Sequence, residues 1–212
     1  MTEQKAVRWE KGEDGIVVVT LDDPGRSVNT MNDRYLDAMD ECVEELHRNK
    51  DTITGVIITS AKSSFFAGAD LDGLIKATPA DAASIMETLA RVKGQLRKLE
   101  TLGRPVVAAM NGTALGGGLE IALACHYRIG LDAAGVVYGL PEVTLGLLPG
   151  GGGLVRTVRM LGLTDALTKV LLQGQRHKPA QALEVGIIDE LASSPEEMMQ
   201  KARQWIAEHP DA

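Results

Sequence analysis

Apolar residues recur along this chain in two rhythms. Unbroken β-branched or small apolar runs at residues 16–21, 56–59 and 106–110 predict buried strands. Helical spacing governs other stretches. Leu36, Met39, Val43 and Leu46 form one stripe behind Asn32, which can cap a helix running to Arg48. Ile85, Leu89, Val92, Leu96 and Leu99 form another behind Thr78-Pro79-Ala80-Asp81, a start with a cap, a proline in the first turn and an acid three residues on. A third stripe, Met198, Ala202, Trp205 and Ile206, follows Ser194-Pro195. Short strands are expected at 126–131, taking in His126, and at 136–138. Thr164 is expected to cap a helix that Gly174 ends. Strands and helices alternate, which favours an α/β layered fold within a single domain spanning residues 1–212.

Composition narrows the picture. The 212 residues are 44% hydrophobic but only 3% aromatic, so the core rests on aliphatic side chains. A net charge of −7 argues against nonspecific nucleic-acid binding. Cys42 and Cys125 sit in apolar helical patterns and are expected as core residues rather than a disulfide. No basic start precedes a long apolar run, so neither a secretory signal nor a membrane span is expected, and a cytoplasmic protein is the default. His47, His177 and His209 lie in polar sequence without ligand spacing, and no metal site is expected. Arg26, Lys62, Arg104 and Arg176 read as solvated charges, of which one or two could meet a nucleotide phosphate.

The chemistry gathers at glycines. Gly116-Gly117-Gly118-Leu119-Glu120 stands between the apolar runs 106–110 and 121–125, a strand, tight turn and buried helix in which backbone N–H groups can face a ligand oxygen. A P-loop is excluded because no Gly-Lys-Ser/Thr triplet occurs. The dinucleotide fingerprint fails at both glycine clusters, at Ile121 and at Val155-Arg156. No Gly-x-Ser-x-Gly elbow suggests a serine hydrolase. The glycines alone could serve only tight turns. Glu120, however, interrupts an apolar helix, and a carboxylate there is costly to bury unless it is partnered or used. A helix start also favours an acid, so a capping role stays open. Glu142, behind Gly139-Leu140-Pro141, is either an exposed acid opening a helix or a second reacting group. Backbone donors with two positioned acids suit proton chemistry beside a carbonyl.

Four segments in order resemble the crotonase (enoyl-CoA hydratase/isomerase) superfamily over nearly the whole chain. They are Asn29-Thr30-Met31-Asn32, Phe65-Phe66-Ala67-Gly68-Ala69-Asp70-Leu71, residues 111–120 ending in Gly-Gly-Gly-Leu-Glu, and residues 139–150 with Gly-Leu-Pro-Glu and Leu-Leu-Pro-Gly. The last looks most like the N-terminal hydratase domain of multifunctional fatty-acid oxidation proteins. The resemblance implies a spiral of strand-strand-helix repeats with surrounding helices, and further C-terminal helices that this sequence lacks after Ala212. It implies an acyl-CoA substrate, with coenzyme A entering only as part of it, whose thioester oxygen accepts from the N–H groups of Ala69 and Gly117. Glu120 would activate water and Glu142 would deliver a proton. Val28, Phe66, Ala67, Gly68, Asp70, Leu71, Gly116, Pro141 and Gly150 would contact the substrate, with adenine near Phe66 and Ala67. A homotrimer, or association with a dehydrogenase domain or subunit, is implied as well. The expected activity is hydration of 2-trans-enoyl-CoA in β-oxidation. Isomerisation of enoyl-CoA and a noncatalytic binding scaffold are the alternatives.

Overall fold

The computed structural model describes residues 5–69 and 75–212. Six strands form the main sheet in the order β1 (Val7–Lys11), β2 (Ile16–Leu21), β3 (Gly55–Ser60), β4 (Val106–Met110), β6 (Tyr127–Leu131) and β9 (Glu190–Ala192). Only the β1–β2 pair is antiparallel. The runs at 16–21, 56–59 and 106–110 fall where expected. β1 escaped the sequence reading because Arg8, Glu10 and Lys11 interrupt it, as suits an edge strand.

Strand residues alternate between two apolar layers. Val56, Ile58, Val106, Ala108 and Met110 enter the larger, with helices α1 (Asp33–Arg48) and α2 (Ala82–Glu100). Ile57, Val107, Ala109 and Ile129 enter the smaller, with Met198, Ala202 and Ile206 of the last helix, α7 (Pro195–Glu208). Fully burying one such aliphatic side chain is worth about 1.5–3 kcal/mol, so both layers hold the sheet strongly. Three helix starts hold as read. Asn32 accepts from the Tyr35 N–H at 3.0 Å, Ser194 from the Glu197 N–H at 3.2 Å, and the Asp81 carboxylate from Thr78 N–H and Oγ1, each at 2.8 Å. Cys42 and Cys125 are free and buried.

Several expectations need correction. Ile85 and Leu89 are only half-buried, so the α2 stripe is a core face only from Val92 onward. Trp205 is half-buried and stacks between the rings of Tyr127 and His209. Thr164 is not a cap. Gly162, in positive φ, precedes the helix that opens at Leu163–Asp165 and continues with π geometry through Ala166–Leu171, here α5. His126 precedes β6, and its Nδ1 accepts the Val106 N–H at 2.9 Å. His177 is buried, its Nε2 against the Lys169 carbonyl at 3.0 Å, and burial lowers its pKa. Lys62 pairs with Asp22 at 2.8 Å and is largely covered. Helix α6 (Pro179–Val185) was not anticipated, although proline opens it and Gly186 closes it in the left-handed region.

A second, smaller sheet positions the chemistry. β5 (Ala114–Leu115) pairs parallel with β7 (Tyr138–Gly139), and β7 pairs antiparallel with β8 (Arg176–His177). Thus the expected strand at 136–138 is a shorter one, shifted toward Gly139. Single parallel bridges extend the sheet on its other side, Phe66 with Ala114 and Met31 with Ala69.

Candidate active site

The small sheet brings the separated sequence motifs together. The segment 65–69 is held on both sides by backbone bonds. Ala67 N–H donates to Asn29 O at 2.9 Å and Met31 N–H to Gly68 O at 3.0 Å, while Leu115 N–H donates to Phe66 O at 3.2 Å. Beneath it, the buried Asn29 side chain donates to Phe65 O at 3.1 Å and Ser60 Oγ at 2.9 Å, and accepts from the Asp23 N–H at 2.9 Å. Phe66 pairs with Ala114, and three residues further along each segment lie Ala69 and Gly117. Helix α3 (Gly117–Leu123) approaches so closely that a Cβ on Gly118 would lie 2.5 Å from Phe66 O, which explains the glycine. No acceptor among the described residues takes the N–H of Ala69 or of Gly117. Two unused donors therefore end adjacent segments on one cavity wall.

That cavity holds about 350 Å³ and is lined by both donors and both acids. Glu120 is 3% exposed. Its Oε1 accepts the Gly153 N–H at 2.7 Å, at the start of helix α4 (Gly153–Leu161). Glu120 thus does cap a helix, but the next one rather than its own. A Cβ on Gly151 would sit 2.8 Å from Glu120 Oε2, so the glycine run makes room for the carboxylate. Burial raises the Glu120 pKa, and the N–H groups of Gly153, Gly151 and Gly152 with the Arg156 charge oppose that rise. Arg156 also donates to Gly151 O at 3.2 Å and pairs with Glu100 at 3.3 Å, fixing the loop.

Glu142 lies in the 3₁₀ turn Pro141–Leu145 that follows β7. It is half-buried rather than an exposed helix-opening acid, and its Oε2 has no partner among the described residues. Burial pushes its pKa up to about 7, with the Glu120 charge adding to the rise. Burial thus raises both acids, but their surroundings differ: Glu120 faces N–H groups that favour its carboxylate, whereas Glu142 has an unpartnered oxygen and a pKa of about 7. Because the folded state binds the Glu142 proton more tightly than the unfolded chain, stability falls as pH rises through 4.5 toward 7. Glu142→Gln removes that cost. It is expected to stabilise the fold by about 1–2 kcal/mol at pH 8, after allowance for solvent at the open side, with the gain fading toward pH 5. Thermal melts of both proteins at the two pH values check this.

Of the residues expected to meet a substrate, Ala67, Gly68, Gly116, Pro141 and Gly150 line the cavity with the four catalytic candidates. Phe66 does not, because its ring is fully buried edge-on against Tyr35, so it offers a ligand no ring surface. Val28 is half-exposed outside the lining. Asp70 and Leu71 lie outside the described residues. The sequence reading missed much of the apolar wall, Ile85, Leu89, Leu145, Leu147 and Leu148, and had Arg176, the cavity's one cation among the described lining residues, only as one of four solvated charges that could meet a phosphate. For Ile85 and Leu89 the signal was present but assigned to core. For Leu145–Leu148 it was an apolar run on a turn with no helix or strand to bury it.

The family model for enoyl-CoA hydratase/isomerase matches residues 11–211. The chain belongs to the enoyl-CoA hydratase/isomerase family. Its curated relatives include the fatty acid oxidation complex subunit alpha of Idiomarina loihiensis, 42% identical over 197 residues, covering 90% of this chain and 27% of the relative. The corresponding subunit of Shewanella sp. strain MR-4 is 40% identical over 188 residues, covering 89% and 26%. The chain thus spans about a quarter of the length of these relatives. Among solved structures, an enoyl-CoA hydratase of Geobacillus kaustophilus superposes with a TM-score of 0.86 at 29% identity, over 100% of this chain and 76% of that one. The Bacillus anthracis enoyl-CoA hydratase gives 0.85 at 26% identity, over 96% and 76%. The family's crotonase fold is the fold described above, and no helix among the described residues is long and apolar enough to cross a membrane.

Proposed function

We propose that this member of the enoyl-CoA hydratase/isomerase family adds water across the double bond of a 2-trans-enoyl-CoA, as a step of fatty-acid oxidation. The reading rests on one observation above all: two unused N–H groups and two acids, one facing N–H groups and one with an unpartnered oxygen, share one cavity. The thioester oxygen accepts from Ala69 and Gly117, which stabilise the negative charge that develops on it. Glu120, as carboxylate, takes a proton from water as the oxygen bonds to C3. The electron pair of the double bond moves onto the thioester, and Glu142 supplies a proton to C2. Coenzyme A belongs to the substrate, and no resident cofactor takes part in these steps.

Names of the relatives support a place in a fatty acid oxidation complex. Apolar side chains such as Leu148 and Leu172, 71% and 60% exposed, offer surface that a partner would cover, whether a further copy in a homotrimer or a dehydrogenase domain or subunit. The two free cysteines accord with a cytoplasmic setting. The direct test is the loss of conjugated-thioester absorbance on adding the protein to crotonyl-CoA and longer 2-enoyl-CoAs. Steady turnover on at least one chain length is expected. Binding of acyl-CoA with no turnover on any length would favour the noncatalytic scaffold instead.

A further inference from the structure

We propose that Arg176 recognises a second carboxylate carried by the acyl chain, so that the cavity accepts enoyl-CoAs derived from dicarboxylic as well as monocarboxylic acids. The inference rests on the hydratase reading and adds a substrate class to it.

Arg176 is exposed yet lines the same cavity as the two acids. It is the only cation among the described lining residues, in a chain whose net charge is −7. No hydrogen bond or ion pair engages its guanidinium among the described residues. The two carboxylates of the cavity do not pair with it: Glu120 is engaged by Gly153, and Glu142 keeps its Oε2 unpartnered. Arg176 is reached by solvent and has no protein anion beside it among the described residues, so its guanidinium is free to take an anion that arrives with the ligand. Its planar fork suits a carboxylate, which it can bind through two parallel N–H bonds.

Its placement is fixed by backbone. Arg176 pairs with Gly139 across the β7–β8 ladder, and a Cβ on Gly139 would lie 3.3 Å from Arg176 Cα. The strand that carries the guanidinium is therefore tied to the one that leads into Pro141 and Glu142. Thr144 and Leu145 of the same turn line the cavity with it, and Ile85, Leu89 and Leu148 supply further apolar wall. An acyl chain lying along such a wall meets acids at its reacting end and a cation elsewhere. A second carboxylate would be repelled at the first and attracted at the second.

The test compares 2-enoyl-CoAs with and without a terminal carboxylate, at six, eight and ten acyl carbons, in the wild type and in Arg176→Leu, Arg176→Lys and Arg176→Glu. The readout is the ratio of kcat/KM for the diacid to that for the monoacid of equal length. At one or more lengths this ratio is expected to fall about three- to tenfold in Arg176→Leu, further in Arg176→Glu, and least in Arg176→Lys. In the wild type it should also decline as salt is raised to about 0.5 M. A ratio unchanged in Arg176→Leu at every length overturns the proposal. So does an equal loss on both substrates that disappears with 3′-dephospho-CoA thioesters, since the arginine then serves a phosphate of the carrier. Failure of the wild type to hydrate either series instead defeats the hydratase reading, and is distinguished by the monoacid rates.

Discussion

In Glu142→Gln, hydration of 2-enoyl-CoA is expected to fall by about 10²–10⁴, the usual contribution of a general acid or base, and isomerisation of 3-enoyl-CoA to fall with it. Glutamine keeps the shape of glutamate but exchanges no proton at this pH. Glu120→Gln is expected to impair hydration comparably and isomerisation much less, because moving a double bond requires no water. The two variants should also differ in stability. At position 142 the change relieves a buried acid with an unpartnered oxygen. At position 120 it replaces a carboxylate toward which several N–H groups are turned, so one of them faces an amide nitrogen that cannot accept. Parallel kinetics on both substrates, with melts of each variant, make the comparison. Wild-type hydration in both would show the acids to be structural. Loss confined to Glu142→Gln in both reactions would make the protein an isomerase.

Gly117→Pro is expected to cut kcat by about 10²–10³, the cost of losing one donor to a developing oxyanion. The position allows a clean design. Gly117 is the first residue of α3, where proline is well tolerated. The nearest atoms to a Cβ there belong to the Met31 thioether, from 2.7 Å, an end that can swing aside. Gly117→Ala carries the same Cβ and keeps the N–H, so the difference between the two variants reports the lost donor together with the ring carbon that takes its place. Alanine is expected to remain within about tenfold of wild type. Binding of free CoA, which has no acyl oxygen, should be alike in all three. Equal turnover of folded Pro and Ala variants would remove the N–H from the mechanism.

How far the sequence carried these assignments depends on what kind of physics wrote each feature. The central strands were legible because burial on both sides demands continuous apolar runs, as at 56–59 and 106–110. Caps such as Asn32 and Ser194 were legible because one side-chain bond decides them. Glu120 stood out as an acid inside an apolar run, and Glu142 as an acid beside a rigid turn, though its burial was not foreseen. By contrast, β5, β7 and β8 have two residues each, too few for any periodicity. Their pairing depends on tertiary contacts that no local pattern records. For the same reason Arg176 read as an ordinary solvated charge, and the partner of Glu120 at Gly153 was hidden by a separation of 33 positions in the chain. Phe66 misled in the opposite sense. The family resemblance placed it against the substrate, but its ring is spent on Tyr35.

The pairing of Phe66 with Ala114 also bears on what the two donors are made of. Neither Ala69 nor Gly117 brings a polar side chain to the cavity, and the segments that carry their N–H groups are tied by main-chain bonds, Leu115 N–H to Phe66 O and Met31 N–H to Gly68 O. The anion cradle is therefore built of peptide units alone. Replacement of side chains around the cavity can retune which acyl chains enter while the grip on the thioester oxygen stays where the backbone puts it.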